Sequence, residues 1–258
     1  MIRKSSGPWI AVVAAVWCGL PATLVFPANS DELNDLVGRM QFNYYAADAR
    51  ALRQDVQEVS TLEVDPELTR VRDYQVGYGQ WKLAETLQVK DRSAARHAAG
   101  ACIDATNKAL DAVPKRANIP RPDVMHAELH AIQAGCYGTL GETARAGKLL
   151  DDARALQPAN PRILLVAAIY AINRAKSASE RLVAERAIQT AVVAFDAQPP
   201  LPPGAADWGH AEALAWLGEV QLQREDRVAA RNSLERALVL APDYVFARAL
   251  LARATGGR

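Results

Sequence analysis

Aromatic residues make up only 6% of this 258-residue chain. That scarcity disfavours β-rich packing, which relies on branched and aromatic side chains. Excess charge of either sign is missing too: 30 basic and 29 acidic residues leave a formal charge of +1. With no basic stripe able to displace counterions from a phosphate backbone, nucleic acid is not an expected partner. Sustained polar/apolar alternation is absent, so no strand is expected. Glycine-rich phosphate loops and Ser-x-x-Lys signatures are absent as well, which removes two common catalytic frameworks. What remains is an apolar half carried by Ala, Leu and Val, enough to bury a sizeable helical core.

The N-terminus has its own pattern. Arg3 and Lys4 precede an uncharged, mostly apolar stretch from Trp9 to Phe26, as in a secretory signal. Ala28 and Ser30 supply small residues before a cut at Asp31, behind the helix-breaking Pro27. The expected division is therefore 1–30 as signal peptide and 31–258 as the folded part, exported to the periplasm or secreted. The alternative is an uncleaved membrane anchor, since the apolar run approaches spanning length; Gly19 and Pro21 interrupt it. A lipid-modified Cys18 is opposed by the bulky Trp17 before it. Cleavage would remove Arg3 and Lys4 and take the formal charge from +1 to −1.

Beyond the leader, four prolines organise the chain. Pro114, Pro158, Pro199 and Pro242 each close an Ala-rich stretch, at intervals of 44, 41 and 43 residues. Five positions before each stands Ala109, Ala153, Ala194 or Ala237; eight before, Thr106, Leu150, Ala191 or Leu234; twelve before, Cys102, Ala146, Ala187 or Ala230. Small residues at fixed offsets from a helix-ending proline mean that helix backbones approach closely at equivalent points of successive units.

In the last unit Ala211, Leu214, Leu217, Gly218, Ala230, Leu234, Ala237 and Pro242 fall at the spacing of a 34-residue helix-turn-helix. This unit resembles a tetratricopeptide repeat (TPR), departing from it where Leu214 and Gln221 replace the usual aromatics. The unit from Ala127 resembles it less fully, through Ala134, Tyr137, Ala146, Leu150, Ala153 and Pro158, with His130 and Gln133 at normally apolar positions. The resemblance implies an all-α, right-handed solenoid of antiparallel helix pairs. At Gly218 it implies a helix contact with room for no more than a methyl group.

Periodicity and punctuation predict helices over 32–59, from Pro66 through Leu87, and over 92–113, 123–140, 142–156, 161–174, 179–197, 207–223, 226–240 and 244–254. The last reads as a cap over the terminal repeat. Asp65 is the expected N-cap for the helix from Pro66. The run Pro199–Gly204 reads as a stiff connector.

Candidate chemistry is sparse. His126 and His130 stand four apart on a helix, but Glu128 is not adjacent to the first His and further ligands are not evident, so no metal site is expected. Cys102 and Cys136, the cysteines left after cleavage, fall on neighbouring helices, where either a bridge or two buried thiols fit. His97 is the sole nearby base, and no catalytic constellation or cofactor site emerges.

The family resemblance implies that first-helix surfaces form a concave groove for a peptide or protein. On this chain that surface carries Glu128, Ala131, Gly135 and Thr139 in one unit and Glu212, Ala215, Glu219 and Gln223 in the other. The Lys, Arg and Asn of chaperone-binding members are missing from it. A partner with apolar or basic groups is implied instead, and a membrane only through an uncleaved N-terminus.

Overall fold

The computed structural model describes residues 30–112, 124–200 and 207–256. Residues 1–29, which include most of the expected signal segment, Pro114, and 201–206 of the proline-rich run lie outside the described residues. Described are α1 (Ser30–Tyr45), α2 (Ala49–Thr61), α3 (Thr69–Leu87), α4 (Arg92–Asp111), α5 (Val124–Leu140), α6 (Thr143–Leu156), α7 (Pro161–Arg174), α8 (Ala178–Asp196), α9 (His210–Gln223), α10 (Arg227–Leu240) and α11 (Val245–Ala254). Among the described residues there is no strand, and no helix is long and apolar enough to cross a membrane.

Helix starts follow local chemistry. Asp91 accepts from the Ala94 N–H, Asn160 from Arg162 and Asp226 from Ala229, while Ser177 and Glu180 form a reciprocal capping box. Helix ends follow the prolines: Pro158, Pro199 and Pro242 stand just past α6, α8 and α10.

Two expectations at the N-terminal end need correcting. The single helix over 32–59 is two, because Ala47 turns left-handed at φ 55° and Asp48 recaps the chain by accepting from the Arg50 and Ala51 N–H groups. A periodic apolar stripe runs through this break, which hides it from the sequence. Pro66–Leu68 forms a separate 3-10 turn, and Asp65 makes no side-chain cap there; α3 starts only at Thr69.

Consecutive helices pack as antiparallel pairs, and α1, α3, α5, α7, α9 and α11 each also touch the next member of that series. These helices form the inner row of a solenoid and α2, α4, α6, α8 and α10 the outer row. The recurring small residues lie between the rows: Cys102, Ala109, Ala146, Ala153, Ala230 and Ala237 are fully buried, with Leu150 and Leu234 filling the space beside them. Ala134, Tyr137, Leu214 and Leu217 are buried on the inner row. Each large apolar side chain so buried stabilises the stack by about 1.5–3 kcal/mol. The unit ending at Pro199 is shifted, burying Ala184, Ile188, Ala191 and Phe195 while Ala187 and Ala194 are only half-buried.

At Gly218 the contact is tighter than the resemblance implied. A Cβ there would sit 2.6 Å from Leu234 Cγ, the branch point of a side chain with no exposure. Even a methyl group therefore forces the α9–α10 contact to move.

Candidate binding groove

The inner row has two contrasting ends. Toward the N-terminal halves of α5, α7 and α9 it is filled by the chain itself. Lys82 on α3 is 1% exposed and donates to Glu212 Oε2 on α9 at 2.5 Å and to Glu85 at 3.1 Å. Its ammonium lies 3.7 Å from the Trp81 ring centroid, and the rings of Tyr44, Tyr78 and Trp208 complete the surround. Burial alone would lower the lysine pKa; the charges of Glu212 and Glu85 outweigh it and hold Lys82 above its ordinary value. Glu212 is raised, chiefly by burial, with Lys82 offsetting part and Glu85 adding to the rise.

Trp208, delivered just beyond the connector, enters the same space. Its indole N–H donates to Tyr74 Oη at 2.9 Å, Tyr74 donates to Glu128 at 2.8 Å, and its ring stacks on Tyr78 at 5.0 Å. Glu128 also accepts from Asn160 at 2.8 Å and faces Arg162 at 3.7 Å. Gly209 makes this entry possible: at φ 106° it takes a conformation rare for side-chain-bearing residues, and a Cβ would strike Phe195. Tyr44 reaches Glu212, Gln41 donates to the Asp207 carbonyl, and Tyr45 packs on Tyr244 at 4.7 Å, so α1 closes against the last repeat. Burial and the Glu212 charge push Tyr44, Tyr78 and Tyr244 well above the ordinary phenol range; burial and Glu128 do so for Tyr74.

Toward the C-terminal ends of the same helices the row is open. One hollow of about 200 Å³ lies between α3, α5 and α7, with Trp81, Gly135, Thr139 and Tyr170 among its walls. A second, of about 510 Å³, lies between α7, α9 and α11, with Trp216, Glu219, Gln223 and Phe246. Asn173 lines both. Gly135 matters to the first because the Trp81 indole occupies the space a Cβ would need.

The groove residues expected from the sequence thus divide in half. Glu128, Ala131, Glu212 and Ala215 are buried inside, the two acids in internal pairs. Gly135 and Thr139 line the first hollow, Glu219 and Gln223 the second. Sequence reasoning missed Lys82 and Trp208. The available signal was the concentration of Tyr74, Tyr78 and Trp81 on one helix of an aromatic-poor chain.

The two rows of stacked antiparallel helix pairs give the chain a TPR-like fold, as the pattern at 211–244 led one to expect. No family model matches the chain, and no curated protein matches it. Among solved structures it is similar to a thermophilic TPR protein in Thermus thermophilus, at 16% identity over 88% of this chain and 99% of that one, TM-score 0.49. It is also similar to the assembly chaperone of RpL4 (13% identity, 89% and 96% covered, TM-score 0.39) and to the APC/C hetero-tetramer Cut9–Hcn1 (18%, 88% and 46%, TM-score 0.37).

Cys102 and Cys136 are joined as a disulfide between α4 and α5, with Cα atoms 6.5 Å apart, so neither is a thiolate nucleophile. His126 and His130 lie 4.8 Å apart between ring centroids. Burial, with a contribution from His126, holds His130 below its ordinary pKa, against the pull of Asp152. Among the described residues no group of three metal-ligating side chains gathers.

Proposed function

We propose that this protein is an exported scaffold of the cell envelope that holds a protein or peptide in the open end of its inner row. Solenoids of stacked helix pairs present extended concave surfaces for binding. The observation that carries the reading is the contrast along α5 and α9. Glu128 and Glu212 are consumed by the fold, whereas Thr139, Glu219 and Gln223, further along the same helices, line hollows. Export is supported by the signal-like pattern of residues 1–30 and by the Cys102–Cys136 bridge, since disulfides persist in oxidising compartments.

A photo-crosslinking residue placed at Thr139 or Gln223 in the native envelope should capture a discrete partner that the same residue at Val228, on the outer row, does not. Equal capture from all three positions would remove the groove from the account. N-terminal sequencing of the envelope form should begin near Asp31. An intact Met1 in the membrane fraction would replace the exported form with a membrane-anchored assembly factor.

A further inference from the structure

The charge left free in the open end is opposite to what the sequence of the inner row implies. Of the acids on that face, Glu128 and Glu212 are buried in internal pairs, Glu85 is held by Lys82, and Glu219 is paired with Arg253 at 2.9 Å. Two exposed arginines remain. Arg174 lines the first hollow and Arg181 the second, and among the described residues neither has a carboxylate partner. Arg174 is also held in place, its guanidinium 5.3 Å from the Tyr170 ring centroid, a stacking that leaves its N–H edge available. The arginines flank Asn173, the exposed amide common to both hollows, which can donate to and accept from an extended backbone. Beneath the polar rim are apolar surfaces: Trp81 and Ile169 on one side, Trp216 and Phe246 on the other.

Resting on the reading of this face as a peptide groove, we propose that its occupant is an extended acidic segment of a partner protein. Its carboxylates meet Arg174 and Arg181, and an apolar side chain between them enters one of the hollows. Charge complementarity selects this occupant: the acids of this face are each engaged by a group of the chain itself, whereas Arg174 and Arg181 stand, among the described residues, without carboxylate partners around an apolar floor, an arrangement that favours acidic over basic partners.

The test uses the purified, disulfide-intact chain and three sets of fluorescein-labelled ten-residue peptides, each with a central Phe flanked by Glu and Asp, by Lys and Arg, or by Ser and Gly. Fluorescence anisotropy should rank the acidic set at least about tenfold tighter than the neutral set, the basic set weakest, and the preference should shrink as salt is raised. Arg174→Glu with Arg181→Glu should abolish the preference, while Arg50→Glu, on the outer row, should leave it intact. Thermal unfolding of each variant shows that exposed substitutions have not altered the fold. Equal or tighter binding of neutral or basic peptides in the groove overturns the acidic assignment and leaves the peptide-binding reading standing. Failure of all three sets to bind overturns both.

Discussion

Glu212 and Glu219 stand two turns apart on α9, on the same inner row, and the fold treats them differently. Glu212 is 1% exposed, bonded to Lys82 and enclosed by rings from α1, α3 and the segment before α9. Glu219 borders a hollow and pairs with an arginine at the edge of solvent. Glu128 and Thr139 repeat the division on α5. One end of the concave face has become a second core that ties the first helices to the last repeat, and the other keeps its side chains for something outside. A concave row is therefore not by itself a groove, because a solenoid can close part of it with its own residues.

The largest test of this comparison is Lys82→Met. It strands the buried Glu212, with the half-buried Glu85 beside it, and should cost about 3–5 kcal/mol in chemical denaturation. Arg174→Met at the open end should fall within about 0.5 kcal/mol of wild type. Adding Glu212→Leu to Lys82→Met should recover much of the loss. If Lys82→Met is as mild as the arginine change, the closed end is not a core.

Next comes the disulfide, which fixes α5 to α4 one residue from Gly135 on the floor of the first hollow. Reduction should lower stability by about 2–4 kcal/mol, read as a fall in melting temperature with reductant. No fall would mean that the bridge does not restrain the stack.

Gly218 separates close helix packing from a surface position. Gly218→Leu should cost about 1–3 kcal/mol or more by overpacking Leu234, and Gly218→Ala should lie between Leu and wild type, its gain in helix propensity offset by the forced shift. An alanine variant more stable than wild type would show that Leu234 yields freely.

The smallest effect concerns pH. Tyr44, Tyr74, Tyr78 and Tyr244 have phenol pKa values raised by burial, so the unfolded chain releases these protons first, and stability should fall as pH rises above about 10. Lys82 acts in the same direction: with its folded pKa raised, its contribution is complete below its unfolded value and is lost as pH climbs through the folded one. Tyr78 Oη is buried without a hydrogen-bond partner. Tyr78→Phe should therefore be neutral or slightly stabilising at neutral pH and should flatten the alkaline loss in a series of thermal melts. A steeper loss in the variant would contradict the role given to burial.

Most of the helical plan was legible in the chain. Proline spacing and small residues at fixed offsets located the units because backbone contact between helices imposes the same steric limit in every repeat. The pattern at 211–244 gave the pairing of α9 with α10, and caps such as Asn160 and Ser177 marked starts through local hydrogen bonds. The α1–α2 break escaped notice because it rests on one left-handed alanine and a cap inside an unbroken apolar stripe.

Half of the candidate site was legible as well, in that all eight expected groove residues lie on the inner row. Which of them remain available to a partner depended on Lys82 and Trp208, which lie 126 residues apart in sequence and meet only when the superhelix turns far enough to bring α3 against α9. Local periodicity determines which face of a helix is apolar and where the helix stops. Whether a charge on that face is buried against a counter-charge depends on cumulative curvature over many repeats, and that belongs to the tertiary structure alone.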